Sequence, residues 1–173
     1  MAWHFAFQEE AGKVCVFTDS DWGGDRVSRK STSGGVICLG GHCVRTWSST
    51  QGAIALSSAE AEFYALVDGV LRAKWAQSVL TELGVPISPV AEVYTDSSAA
   101  KSFVSTRGLG RMRNLELSDL WLQREVGDGK VVVGKVAGDQ NLADAMTKFL
   151  SHRELAKRLS QMSLALDWLR GDL

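Results

Sequence analysis

The sequence predicts an α/β domain built on a mixed sheet. Three strand-like runs follow one another near the N-terminus, amphipathic helices then alternate with further strands, and two strands end on an aspartate. A chain of 173 residues with 45% hydrophobic content can bury one sizeable core. Two prolines, no internal repeat and no low-complexity tract leave no linker to divide it.

The first run, "KVCVFTDS" (13–20), is rich in β-branched and aromatic residues and ends at an acidic cluster of Asp19, Asp21 and Asp25. "GGVICLGG" (34–41) and "HCVRTWSS" (42–49) read as two more strands, with Gly40 and Gly41 suiting a tight hairpin turn. The three runs together predict an antiparallel meander. A helix then begins at "SSAEAEFYALVDGVLRAKW", where Ser57 and Glu60 have the spacing of a capping box. Ala59, Phe63, Leu66, Val70 and Ala73 form one apolar face, which Trp75, Val79, Leu80 and Leu83 continue as far as Gly84 and Pro86.

Beyond this helix, "AEVYTDS" (91–97) is a strand that carries Asp96 at its end. "SAAKSFVS" (98–105) and "NLELSDLWLQREV" (114–126) are helical, and "KVVVGKV" (130–136) is a short strand. "NLADAMTKFL" starts a helix capped by Asp139 or Asn141. Leu155, Leu159, Met162, Leu166 and Leu169 line one side of a C-terminal amphipathic helix, read as core contact. The chain thus divides into an N-terminal extension (1–12), a main domain (13–150) and a terminal helix packing on or extending it (151–173).

Composition narrows the function classes. No apolar stretch approaches a membrane span, and the first residues lack the pattern of a signal peptide. Three cysteines, Cys15, Cys38 and Cys43, are an odd count in strand-like surroundings, which points to reduced, mostly buried thiols in an intracellular protein. Cys38, His42 and Cys43 lack a second ligand pair at metal-binding spacing. The net charge of −1 hides a stretch from Ser97 to Leu115 with Lys101, Arg107, Arg111 and Arg113 and no acid. Such a stretch can track a phosphate backbone or form a solvated loop, and charge alone favours neither.

The acids carry the chemistry. Sites in open α/β sheets collect at the carboxyl ends of strands, so Asp19 and Asp96 meet if their strands are parallel neighbours. No lysine or arginine is close in sequence to both, so the expected counter-charge is a hard divalent cation with oxygen ligands. The first helix offers Glu60 and Glu62, which point roughly 160° apart at about 100° per residue. Glu62 lies about 60° and Glu60 about 100° from the centre of the apolar stripe. Glu62 is therefore the candidate ligand and Glu60 the cap. Asp144 in "NLADAMTK" is a fourth candidate, although an aspartate in a helix's first turn also meets the helix dipole favourably. Asp21 and Asp25 flank a turn containing Trp22, Gly23 and Gly24, where aspartates bond the backbone. Gly23 and Lys30 stand where an EF-hand loop needs ligands.

The order Asp, Glu, Asp, Asp, set in "FTDSDW", "SSAEAEFYAL", "VYTDSSAA" and "NLADAMTK", resembles the ribonuclease H domain of copia-type retrotransposon Pol polyproteins. "RKSTSGGV", "WSSTQGAIALSSAEAEFYAL", "TDSSAAKSF" and "QNLADAMTKFL" extend the likeness from about Val14 to Leu159. The resemblance implies an RNase H-like fold, a five-stranded mixed sheet flanked by helices. It implies hydrolysis of the RNA strand of RNA/DNA hybrids with two Mg²⁺ ions, for which Mn²⁺ can substitute. The matching ligand positions are Asp19, Glu62, Asp96 and Asp144. Arg26, Arg29, Lys30, Lys101, Arg107, Arg111 and Arg113 become candidates for contacts to the hybrid backbone. A reverse transcriptase domain of the parent polyprotein is the implied partner, and the setting is the cytoplasm, a virus-like particle or the nucleus. Two departures stand out. "KVAGDQNLAD" lacks the loop histidine that many RNases H carry, as is usual in copia-type relatives, and Asn114 replaces a histidine common in those relatives. The rivals are a decayed domain retained for nucleic-acid binding or structure, an integrase-like nuclease, whose acids follow a different order, and a metal-binding domain without a nucleic-acid partner.

Overall fold

The computed structural model describes residues 2–3, 7, 12–106 and 117–165. In chain order the strands are β1 (Ala2–Trp3), β2 (Val14–Asp21), β3 (Thr32–Leu39), β4 (His42–Thr50), β5 (Ala91–Thr95), β6 (Val131–Lys135) and β7 (Leu164–Ala165). The helices are α1 (Ser58–Glu82), α2 (Ser98–Val104), α3 (Leu117–Gly127), α4 (Asp144–Thr147) and α5 (His152–Gln161). Five strands form one mixed sheet in the order β4-β3-β2-β5-β6. β2, β3 and β4 make the expected antiparallel meander, while β2, β5 and β6 run parallel. Strands β1 and β7 pair separately, so the N-terminal extension meets the end of the C-terminal segment.

Side-chain alternation along β2 divides the core into two layers. Val14 and Val16 face α1, α2 and α3, packing with Phe63, Leu66, Val70, Phe103 and Leu122. Cys15 and Phe17 face the other way, toward Leu142, Leu159 and Met162 from the α4–α5 side. Two glycines set the helices close to the sheet near its carboxyl end. A Cβ at Gly69 of α1 would come within 2.3 Å of Thr18 Cγ2, and one at Gly34 of β3 within 2.6 Å of both Met146 Cβ and Thr147 Cγ2.

Several local expectations are corrected. The Ser57 side chain accepts from the Glu60 backbone as predicted, but the Glu60 carboxylate takes the Leu56 N–H at 3.0 Å and the Tyr64 hydroxyl at 2.9 Å instead of closing a capping box. The apolar face of α1 does not continue through Trp75, Val79 and Leu83, which are 52%, 38% and 72% exposed. Four-residue steps advance about 400° and drift off the face by some 40° each. The buried line runs instead through Ala73 and Ala76 to Leu80. Helix α3 begins at Leu117 among the described residues, and 114–116 lie outside them.

The segment after Gly138 is a 3₁₀ turn and then only one turn of α-helix, with Ala143 at the N-cap position and no side-chain cap. Neither Asp139 nor Asn141 caps α4. Asn141 is used otherwise, accepting from the Ala143 N–H at 3.2 Å and donating to the Thr18 carbonyl at 2.9 Å. The C-terminal helix stops at Gln161 because Ser163 takes a positive φ of 60° and β7 follows. Leu155, Leu159 and Met162 do pack inward, whereas Leu166 and Leu169 lie outside the described residues.

Candidate metal centre

Strand pairing brings the first two acids together. Thr18 of β2 lies in parallel register with Thr95 of β5, so the next residues, Asp19 and Asp96, emerge side by side at the carboxyl end of the sheet. Helix α1 crosses this end and supplies Glu62. One carboxylate oxygen from each of Asp19, Glu62 and Asp96 lies within 4.8 Å of the others. Of the two glutamates, Glu60 is buried in its own bonds and Glu62 faces the aspartates.

Glu62 is held at one oxygen only. The Ser20 N–H donates to Oε1 at 3.3 Å, while Oε2 is buried with no hydrogen-bond partner. Burial pushes its carboxyl up to about 8, with the negative charges of Asp19 and Asp96 adding to the shift. None of the ion pairs among the described residues reaches Glu62 or Asp96. A buried carboxylate oxygen without a donor, beside two further hard oxygen ligands, is the donor chemistry that a magnesium-like cation takes.

Asp144 reaches the cluster indirectly. Lys148, one turn on, places its ammonium 2.7 Å from Asp144 Oδ1 and 3.1 Å from Asp19 Oδ1. Lack of a basic neighbour in sequence thus did not mean lack of one in space, and that expectation is corrected for Asp19. Although half-burial works against its charge, Lys148 is held above the usual lysine range by its hydrogen bond to Asp144 and the charge of Asp19. The other oxygen of Asp144 takes a bond from Arg158 at 2.9 Å. Two ion pairs, more than a helix-dipole contact, account for the position of Asp144 on its four-residue helix. Asp19 is 1% exposed, and the Thr147 hydroxyl donates to its Oδ2. Burial raises the Asp19 carboxyl, Thr147 and Lys148 oppose that rise, and the charge of Asp144 adds to it.

Asp21 and Asp25 do not join the cluster and serve the backbone. Asp21 accepts from the Thr32 N–H, and Asp25 accepts from the N–H groups of Val27 at 2.8 Å and Ser28 at 3.3 Å. This turn presents Arg26 and Arg29 to solvent, with Lys30 half-buried. Lys101 is half-buried on α2, five residues after Asp96, while Arg107, Arg111, Arg113 and Asn114 lie outside the described residues.

Sequence reasoning missed the supporting role of four residues. Lys148 and Thr147 stand four and three positions after Asp144, a helical spacing that could have been read as a shared face. Arg158 and Asn141 leave no such trace. Arg158 donates to the Gly138 carbonyl at 3.0 Å and also to the Asp139 carbonyl, tying α5 to the loop that carries Asp144.

The chain is 32% identical over 137 residues to the Retrovirus-related Pol polyprotein from transposon RE2 of Arabidopsis thaliana, a match covering 79% of this chain and 9% of that protein. It thus spans about a tenth of the length of that relative. No family model matches. Among solved structures, RNase H1 from the halophilic archaeon Halobacterium salinarum superposes with a TM-score of 0.51 at 20% identity, covering 78% of this chain and 94% of that one. LC11-RNase H1, crystallised with an RNA/DNA hybrid, gives a TM-score of 0.50 at 17% identity over 78% of this chain and 93% of that one. The resemblance read from the motifs holds at these two levels, in homology to Pol polyproteins and in fold.

Proposed function

From a chain homologous to retrotransposon Pol polyproteins and folded as a ribonuclease H domain, we propose a metal-dependent endoribonuclease. It hydrolyses the RNA strand of RNA/DNA hybrids during retrotransposon reverse transcription. The observation that carries this reading is the convergence of Asp19, Glu62 and Asp96 within 4.8 Å at the sheet's carboxyl end, with Asp144 one ammonium away.

Asp19, Glu62, Asp96 and Asp144 are the metal ligands in this reading, and the metal is Mg²⁺, two ions, or Mn²⁺ in its place. When bound, such a pair lowers the pKa of water and stabilises the departing oxygen. The chain's own groups set the stage for that chemistry. The Thr147 hydroxyl fixes the rotation of the Asp19 carboxylate. Ser20 N–H holds one oxygen of Glu62 and leaves the other unbonded. Asn141 pins the loop before Asp144 to the carbonyl of Thr18, the residue before Asp19. Hydrolysis joins a water oxygen to phosphorus and breaks the bond to the 3′-oxygen, leaving a 5′-phosphate. Selectivity for RNA comes from 2′-hydroxyl contacts in the minor groove. Lys101, Arg107, Arg111, Arg113, Arg29 and Lys30 contact the backbone.

The division into residues 1–12, 13–150 and 151–173 is part of the same reading, as are an intracellular setting and a reverse transcriptase domain that presents the hybrid. The test uses labelled RNA/DNA hybrid, RNA duplex and DNA duplex, each with Mg²⁺ or with chelator. Cleavage confined to the RNA of the hybrid and dependent on Mg²⁺ is expected. Hybrid that is bound but uncut under those conditions rejects the enzyme in favour of a decayed binding domain.

A further inference from the structure

Lys148 has no part in the chemistry assigned above, yet its ammonium lies between two of the four acids. The bonding at those acids is divided in a regular way. On Asp19, Oδ2 is held by the Thr147 hydroxyl and Oδ1 by Lys148 at 3.1 Å. On Asp144, Oδ2 is held by Arg158 at 2.9 Å and Oδ1 by Lys148 at 2.7 Å. Removing the Lys148 ammonium would free one oxygen on each acid, and both would face the same point. The remaining oxygens would keep their donors.

The two cations differ in how they are secured. Arg158 is buried and also bonded to the carbonyls of Gly138 and Asp139. The Lys148 side chain is 44% exposed and starts from extended backbone just past α4. Among the described residues, its side chain bonds to Asp19 and Asp144. Arg158 is an anchor, and Lys148 is a charge on a flexible stem.

We infer that Lys148 is an internal counter-ion that holds Asp19 to Asp144 in the metal-free chain and is displaced when a divalent cation binds. The inference rests on the metal-centre reading above and adds a competitor to it. A monovalent ammonium satisfies the two freed oxygens until a doubly charged ion with stronger oxygen preference takes its place. The metal then binds more weakly than four bare carboxylates would hold it, because the lysine pairs must first break.

The experiment titrates Mn²⁺ into the parent, Lys148→Met and Lys148→Gln chains without nucleic acid, reading free Mn²⁺ by electron paramagnetic resonance, with Asp19→Asn as the control. Circular dichroism checks that each variant is folded, and two replacements guard against the failure of one. Both lysine variants are expected to bind Mn²⁺ about fivefold more tightly, the scale of one half-exposed ion pair. In the parent, acylation of the Lys148 amine, followed by mass spectrometry, should rise when Mn²⁺ replaces chelator. A neutralising charge that stayed in place would not show that rise. Equal or weaker Mn²⁺ binding in the folded variants, no binding in any chain, or unchanged Lys148 labelling overturns the displacement. Hybrid cleavage by the parent is scored separately. A parent that cuts while the lysine variants bind metal no better keeps the nuclease and loses the counter-ion. A parent that binds Mn²⁺ and releases Lys148 without cutting keeps the counter-ion and loses the nuclease.

Discussion

The candidate centre has two unlike halves. Asp19 and Asp144 meet hydroxyl, ammonium and guanidinium donors supplied by α4, the residue just past it and α5. Glu62 and Asp96 form no ion pair among the described residues, and one Glu62 oxygen is buried without a donor. The first half is neutralised by the chain, while the second waits for charge from outside. Stability and function should therefore separate across the centre: changes in the first half cost folding energy, and changes in the second half cost activity.

The largest effect is expected from Asp96→Asn, which should lower hybrid cleavage by about a thousandfold, or roughly 4 kcal/mol of barrier, with little change in melting temperature in chelator. Asp144→Asn should lose activity and melt earlier as well. If both variants behave alike in a thermal melt, the division between the halves fails. Next in size is Arg158→Met, which leaves Asp144 without its buried partner and removes the guanidinium bonds to the Gly138 and Asp139 carbonyls. Urea denaturation should show a loss of about 3 kcal/mol, the usual cost of breaking a buried pair by removing one member.

Gly34→Ala probes how closely α4 must approach. The added methyl would overlap Met146 and Thr147, and neither backbone nor Cβ can swing aside. A loss of about 2 kcal/mol is expected, typical of overpacking, together with weaker metal binding by calorimetry as Thr147 and Lys148 move away from Asp19.

The last effect concerns pH. The Glu62 carboxyl is raised to about 8 from an ordinary value of 4.5, so the folded, metal-free chain binds an extra proton between those values. Stability then falls as pH rises through that window, and the penalty is complete above about 8. Glu62→Gln removes the ionisation. In chelator at pH 9 it should therefore melt above the parent in a thermal scan. At pH 5 the two should converge. A parent whose melting point stays flat between these pH values would show that Glu62 is better solvated than its surroundings imply.

Much of this architecture was legible in the residues. The runs at 13–20 and 91–97 announced strands ending on acids, and the helical angle separated Glu62 from Glu60 without knowledge of the sheet. Local periodicity suffices there because strands and long helices repeat their burial pattern many times. The segment from Gly138 to Thr147 was read poorly for the opposite reason. It is a 3₁₀ turn and a single helical turn, too short for periodicity, and side chains distant in sequence hold it. Trp75, Val79 and Leu83 misled because apolar residues at four-residue steps leave a 3.6-residue face gradually.

Residue type and near-neighbour spacing were enough to set the alternation of elements and the identity and order of the acids. Which acids the chain neutralises for itself emerges from the folded arrangement alone. That outcome depends on Lys148 and Arg158 reaching carboxylates up to 129 residues away, and Coulomb attraction acts over distance in space whatever the separation along the chain.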